Sequence, residues 1–284
     1  MTARLLDGEA AAAAVRESLV ERIGALRERG VVPGLMTILV GDDEPSKKYI
    51  AMKHRDCAAV GIDSYDLHLP GRPSQDEVDD TVRRANDDPR VHACLIQYPF
   101  PRGLDYEAAI LRLNPEKDAD GLHPVNLGKL VMGADAPRAC TPLGIQRLLA
   151  HHGIPVAGRN VVIVGRGLTI GRPLADLLTL KEDGANAAVT VVHTGVPDLA
   201  RHTRRADVLV VAAGSAGLVT ADMVAAGAVV VSAGVSFENG RLVPDVTDDV
   251  ADVAAWITPR IGGVGPMTRI MLLSNTVTAA ENTA

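Results

Sequence analysis

Asn160-Val-Val-Ile-Val-Gly165-Arg-Gly167-Leu-Thr-Ile-Gly171-Arg-Pro173 joins an unbroken apolar run to a glycine turn and a helix start, and that order decides the fold class. A strand buried on both faces, as in a parallel sheet, reads as a continuous β-branched run. Glycines directly after it let the backbone approach a pyrophosphate, and the helix N-terminus adds its partial positive charge. The third glycine comes one residue later than in G-x-G-x-x-G, so the spacing resembles a dinucleotide fingerprint without matching it. Gly165, Arg166 and Gly167 are the candidate cofactor-binding residues of this turn.

Further along, Ala188-Val-Thr-Val-Val-His193 gives the next strand. Where NAD-selective folds carry an acid that bonds the ribose 2′-hydroxyl, this chain has His193-Thr194-Gly195. Absence of the acid, with a guanidinium at Arg166 and a hydroxyl at Thr194, favours a 2′-phosphate and hence NADP over NAD. Asp207 to Gly214 and Ala228 to Gly234 read as further parallel strands ending in glycine, the second leading to Val235 as a floor for the nicotinamide side. Thr258-Pro-Arg-Ile-Gly-Gly-Val-Gly-Pro-Met-Thr268 is a glycine-proline loop, and it launches a terminal helix with Pro266 as its first residue.

Upstream, strand and helix alternate again. Glu9 to Arg29 is an alanine-rich helix ended by Gly30, and Met36 to Val40 is a short buried strand. The polar loop from Gly41 then opens onto a helix with Ser46 as the expected N-cap, and helical spacing puts Tyr49 and Lys53 on one face. A lysine beside an aromatic ring at the mouth of an α/β sheet is desolvated, which lowers its pKa and suits it to proton transfer near neutral pH. Tyr65, Leu67 and Leu69 mark a second strand, Ser74 to Glu77 a capping box, and Val91 to Gln97 a third strand stopped by Pro99 and Pro101. Parallel strands place Val40, Leu69 and Gln97 on one sheet edge, where ligands of open α/β sheets bind. Asn114-Pro-Glu-Lys-Asp-Ala-Asp-Gly121 follows, and its Asp120 offers a carboxylate that can clamp a heterocycle through paired N–H donors. His123 to Gly128 reads as an ordered but irregular stretch.

The fold expected is α/β with two domains. A three-layer substrate domain comprises 1–139 and 266–284, the terminal helix returning to it, and a Rossmann-like nucleotide domain comprises 140–265. At 284 residues and 47% apolar the chain has ample core, built from small aliphatics because aromatic residues make up only 2%. The net charge of −6, without a basic block, argues against nucleic acid. Cys57, Cys94 and Cys140 form no C-x-x-C pair, which indicates reduced thiols and no metal site. The chain shows neither a signal-type N-terminus nor the roughly 20-residue apolar run that spans a bilayer, so no membrane partner and a cytoplasmic location are expected.

With these residues assembled, the chain resembles the bifunctional methylenetetrahydrofolate dehydrogenase/methenyltetrahydrofolate cyclohydrolase family over essentially its whole length. The resemblance rests on Val-Gly-x4-Ser46-x2-Tyr49-x3-Lys53, Ile96-Gln97 before the Pro-x-Pro pair, Pro115-x-Lys-Asp-x-Asp-Gly121, Thr141-Pro-x-Gly, and Gly-Gly-Val-Gly-Pro-Met-Thr268. The Lys-Asp-x-Asp-Gly loop sets it apart from shikimate-type or malic-type dehydrogenases. The resemblance implies NADP-dependent oxidation of 5,10-methylenetetrahydrofolate to the 5,10-methenyl form, then hydrolysis to 10-formyltetrahydrofolate, in a homodimer of one-carbon metabolism. It implies Lys53 as the general acid/base of hydrolysis, Tyr49 stacking on the folate, Gln97 tuning the lysine, and Asp120 holding the pterin. Gly262 and Pro266 match the substrate-side loop. The chain departs from the family pattern at Gly167, Gly195, Ser232-Ala233, Pro244 and Arg260-Ile261, and carries the bulkier Tyr98 and Phe100 beside the glutamine. Two contacts to a 2′-phosphate are therefore expected to be missing, and the balance of the two activities to be shifted.

Overall fold

The computed structural model describes residues 3–238 and 241–283. In chain order the elements are β1 (Arg4–Leu5), α1 (Gly8–Glu28), β2 (Gly34–Val40), α2 (Glu44–Val60), β3 (Asp63–Leu69), α3 (Gln75–Asp87) and β4 (Ala93–Ile96). After these come α4 (Tyr106–Arg112), α5 (Pro124–Val131), α6 (Cys140–His151), β5 (Asn160–Val164), α7 (Gly171–Thr179), β6 (Ala188–Val192) and α8 (Ala200–Thr203). The remainder is β7 (Val208–Val211), β8 (Val229–Ser232), β9 (Val235–Glu238), β10 (Arg241–Pro244), β11 (Trp256–Ile257) and α9 (Val264–Thr283).

Contacts divide the chain into two compact units. One comprises Ala14–Cys140 with Arg269–Ala284, built on a parallel three-stranded sheet in the order β3-β2-β4. β2 is central and buried at every position, and its alternate residues Met36, Ile38 and Val40 pack with Val78, Val82 and Ala85 of α3. α3 carries the expected capping box, Ser74 and Glu77 exchanging side chain and backbone bonds. α9 lies within this unit from Arg269 onward. Its Glu281 meets Arg22 of α1 at 2.6 Å, and its Asn275 amide donates to the carbonyls of Ala119 and Arg138.

The other unit comprises Met1–Ala13 and Thr141–Thr268 around a six-stranded parallel sheet in the order β1-β11-β8-β7-β5-β6. This differs from the expected partition at the N-terminus. The reason is β1, whose Arg4 and Leu5 pair in parallel with Trp256 and Ile257, while the Arg4 guanidinium lies 4.0 Å over the Trp256 ring. A two-residue strand leaves no periodic signal to read. Valines and leucines of β5, β7 and β8 are buried on both faces, as the continuous apolar runs require. A separate antiparallel hairpin, β9 with β10, starts at Val235.

Several local expectations shift by a few residues. α9 begins at Val264, not Pro266, because a proline is tolerated throughout the first turn, whose N–H groups lack intrahelical acceptors. α6 starts at Cys140, so Thr141, whose Pro-x-Gly context reads as a helix N-cap, lies inside its first turn. His123 to Gly128 is not irregular: Pro124 opens α5, and His123 Nδ1 caps it by accepting from the Val125 N–H at 3.1 Å.

Candidate active site

The residue that caps α2 is Asp43, not Ser46. In extended conformation, its carboxylate accepts from both the N–H and the hydroxyl of Ser46, at 2.9 and 2.7 Å. A carboxylate outcompetes a hydroxyl here because it also complements the positive helix end. Pro45 sits in the first turn without penalty. From this start Tyr49 and Lys53 follow on one face, Tyr49 with half its surface exposed and Lys53 half-buried. Gly61 ends the helix at φ 91°, a left-handed position that suits glycine.

Gln97 comes directly off β4, its N–H bonded to the Ile38 carbonyl. Its amide nitrogen donates to Tyr98 O at 2.6 Å, which turns the amide oxygen toward α2, where it accepts from Lys53 Nζ at 3.0 Å. An ammonium can only donate, so this orientation is the complementary one.

The 114–121 loop delivers Asp120 by using its other charges for structure. Lys117 Nζ donates to the carbonyls of Ala85, Asn86 and Asp88 at the end of α3. Buried Asp118 accepts from the N–H groups of Gly121 and His123 and from Asn126 Nδ2. Gly121 turns at φ 70°, where a Cβ would stand 2.2 Å from the Arg138 backbone. Asp120 is the carboxylate left over.

Electrostatics couple these groups. Burial pushes the Lys53 pKa below the ordinary lysine value, and the Asp120 carboxylate pulls it partly back, with smaller contributions from Cys140 and Cys57. Burial raises Asp120, opposed by Lys53 and by a hydrogen bond from Cys140. The Cys140 thiol is held well above its usual range by burial and by Asp120. Tyr106 is raised by burial and by Asp120 and Asp118; its ring meets Tyr98 and Phe100 edge-on at 5.2 and 5.1 Å. The arrangement is a partly dried amine, held by a neutral acceptor and within reach of a carboxylate's field, which makes it a better proton carrier than a solvated lysine. Lys53, Gln97 and Asp120 are thus brought together. Cys140 was not singled out from the sequence, because a lone cysteine before Thr141-Pro-Leu-Gly gives no sign of lying beside a carboxylate 20 positions earlier.

In the other unit, Gly165 has φ 123°, and a Cβ there would lie 2.2 Å from the Ala212 carbonyl oxygen. Gly171 is as tightly placed against Gly165 O. The late third glycine is therefore the first residue of α7, packed on the turn. A cavity of about 500 Å³ opens beside it, lined by Val164, Gly165, Arg166, Gly167, His193, Thr194, Val196, Leu199, Ala212, Ala213 and Leu218. It fits a nucleotide: a glycine turn with no room for a side chain at Gly165 and open space at Gly167, aliphatic walls, one guanidinium, one hydroxyl, and no acid in the lining. His193 Nδ1 accepts from the Gly195 N–H at 3.0 Å. Val235 lies outside this lining, in the β9 hairpin. A larger open groove of about 580 Å³ runs along α3 among Glu77, Asp80, Arg83, Arg84 and Asp87 and contains none of the candidate residues.

Asp245 was missed from sequence. Fully buried, its carboxylate accepts from the N–H groups of Ala213, Gly214 and Ser215 at 2.7, 2.8 and 2.8 Å, fixing the loop after β7 that contributes to the cavity. Gly262, at φ 83°, accepts from the Gly8 N–H, and Pro266 lies in the first turn of α9; both fall in this second unit, apart from the Lys53 group in the chain's division. Among the described residues no group of His, Cys, Asp and Glu could hold a metal ion, and no helix is long and apolar enough to cross a membrane.

Residues 6–120 match the catalytic domain of tetrahydrofolate dehydrogenase/cyclohydrolase, and residues 139–284 match the NAD(P)-binding domain of the same family. The chain belongs to the tetrahydrofolate dehydrogenase/cyclohydrolase family. Among curated members it is 53% identical to the bifunctional protein FolD of Syntrophotalea carbinolica, over 100% of this chain and 98% of that protein. Among solved structures of this family, a bifunctional FolD from Campylobacter jejuni superposes with a TM-score of 0.94 at 39% identity, covering 99% of each chain. FolD from Trypanosoma brucei, solved with NADP and an inhibitor, gives 0.92 at 38% identity, over 100% of this chain and 99% of that one.

Proposed function

We propose that this protein oxidises 5,10-methylenetetrahydrofolate with NADP to the 5,10-methenyl form and hydrolyses that product to 10-formyltetrahydrofolate. The observation that carries the reading is the 3.0 Å bond from Lys53 Nζ to Gln97 Oε1, with Asp120 as the strongest charged influence on the amine. When bound, NADP supplies the hydride acceptor for the first step. Toward it the chain offers the amides and close approach of Gly165 and Gly167, the Arg166 guanidinium and the Thr194 hydroxyl. The acid-free end of β6 and the NADP complex of the Trypanosoma brucei relative support NADP rather than NAD.

In the second step neutral Lys53 takes a proton from water as its oxygen adds to the one-carbon bridge. The resulting ammonium returns that proton to the ring nitrogen as the carbon–nitrogen bond breaks, and the remaining hydroxyl proton is released to solvent as the formyl carbonyl forms. Gln97 holds the amine through both protonation states, since its oxygen accepts an N–H from either. Asp120 takes the role of holding the pterin, a carboxylate being able to accept two parallel N–H donors. Tyr49, half-exposed one helical turn away, supplies a ring for stacking.

Lys53→Met tests the assignment. Hydrolysis is expected to fall by about 10²- to 10⁴-fold, the usual worth of a positioned acid/base. Hydrolysis at the parent rate would remove Lys53 from the mechanism. The reading extends to a cytoplasmic homodimer that acts on small folates, without nucleic acid or membrane partners. In support, β6 is an edge strand whose Val191 is 37% exposed. Sedimentation of a pure monomer at micromolar concentration would exclude the dimer.

A further inference from the structure

Lys53 is flanked along α2 by two residues that a single side chain of α9 grips. Arg269 Nε stands 3.0 Å from Asp56 Oδ2, the side chains being 27% and 24% exposed, and Arg269 Nη1 donates to Met52 Sδ at 3.9 Å. The two facing atoms are themselves shut off from solvent and make no hydrogen bond, so they meet as a buried ion pair held by charge rather than by an aligned N–H. Met52 and Asp56 are four apart and share a stripe beside that of Lys53, so a guanidinium bridging both fixes how far α2 is rotated and where it stands along its axis. One turn and a half further along α9, Asn275 Nδ2 donates to the carbonyl of Ala119, the neighbour of Asp120, at 2.9 Å. The same helix therefore holds the residue next to each of two groups whose charges act on one another.

We propose that Arg269 is a positioning residue for Lys53: by clamping Asp56 and Met52 to α9 it holds the amine at Gln97, in fixed register with the loop that carries Asp120. The inference rests on the assignment of Lys53 to hydrolysis. It concerns residues outside the glycine, glutamine and Lys-Asp-x-Asp motifs, and it gives α9 a part in the chemistry beyond packing.

The pair also has an electrostatic consequence of definite sign. The groups acting on Lys53 are Asp120, Cys140 and Cys57, with Gln97 as neutral acceptor; His54, the next residue on α2, is bonded to Thr37 and Ser64. Asp56 lies one turn from Lys53 and is neutralised by Arg269 in the parent protein. Arg269→Met uncovers a carboxylate, which favours the ammonium, and Asp56→Asn uncovers a guanidinium, which favours the neutral amine.

The test measures hydrolysis of methenyltetrahydrofolate against pH in the full chain for Arg269→Met, Arg269→Lys, Asp56→Asn and Lys53→Met. In Arg269→Met kcat is expected to fall about tenfold with KM within about twofold, the mark of a misplaced group rather than a lost binding contact. Its pH limb should move alkaline and that of Asp56→Asn acid, with Arg269→Lys near the parent limb. Superimposable limbs in all three would overturn the proposal. Should Arg269→Met not fold, Asp56→Asn decides alone, because it removes a charge and leaves the shape unchanged. Undiminished hydrolysis in Lys53→Met would instead bring down the assignment of the lysine itself, and this proposal with it.

Discussion

Asp245→Ala is expected to damage the nucleotide-binding unit more than any surface change there. The parent carboxylate, fully buried, takes three backbone N–H groups at 2.7 to 2.8 Å. Hydrogen bonds to a charged acceptor are worth about 1.5–3 kcal/mol each, and a stranded buried N–H costs a comparable amount. Removing the carboxylate also removes its own desolvation cost, so the net loss comes to about 3–5 kcal/mol rather than the full sum. That is a large part of the 5–15 kcal/mol that typically separates folded from unfolded domains. The lone tryptophan, Trp256 in β11, belongs to the same unit as Asp245, so its fluorescence in a guanidinium titration reports this unit's unfolding. Asp245→Asn keeps the shape and one accepting oxygen but turns an NH₂ toward an N–H, and should lose about half as much. Ala213, gripped by Asp245, also lines the nucleotide cavity, so calorimetric titration with 2′,5′-ADP should show binding weakened about tenfold or more in the alanine variant. A stability loss below about 1 kcal/mol would refute the reasoning, since the three N–H groups would then have found other partners.

The pH dependence of hydrolysis should show a rate rising with pH as Lys53 loses its proton, with a limb below the ordinary lysine range because burial disfavours the ammonium. Asp120→Asn removes the charge that favours the ammonium, so the limb should move further toward acid; an alkaline displacement would contradict the electrostatic picture. Gly165→Ala puts a methyl 2.2 Å from the Ala212 carbonyl at φ 123° and should abolish measurable 2′,5′-ADP binding, and parent-like affinity would show that the turn can relax. The thiols should resist labelling: Cys57 and Cys94 are each pushed up to about 12 by burial, and Cys140 is raised well above its usual value. Ellman's reagent at pH 8 should react slowly with native protein and with three thiols after denaturation; rapid native labelling would argue against buried, protonated cysteines.

Much of the architecture could be read from residues whose local demands agree with their surroundings. The β5 run followed by glycines predicts a buried parallel strand at a ligand edge, and both the sheet and the cavity lie there. Ser74 and Glu77 specify their capping box without outside help. The misreadings occur where two local solutions compete and longer-range packing chooses. Ser46 and Asp43 can each cap α2, and only the observed start leaves Ser46 inside, bonded to Asp43. The His123–Gly128 stretch is short and opens on a proline, yet it is helical, with the His123 ring capping it. Lys53 and Gln97 were legible as neighbours because parallel strands put the end of β4 and the loop that opens α2 on one edge, whereas Asp120 joined them through the family resemblance. Cys140, Asp245 and Arg269 were not, since each acts through a partner distant in sequence.

The pairing of Arg4–Leu5 with Trp256–Ile257 bears on how the polypeptide is made. About 250 residues separate the partners, so the opening strand leaves the ribosome long before anything exists for it to join. During synthesis the first segment must stay unpaired while β2, β3 and β4 assemble, and the edge of β8 that later receives β11 stays uncovered until late in translation. A fusion placed directly ahead of Arg4 would burden that final closure.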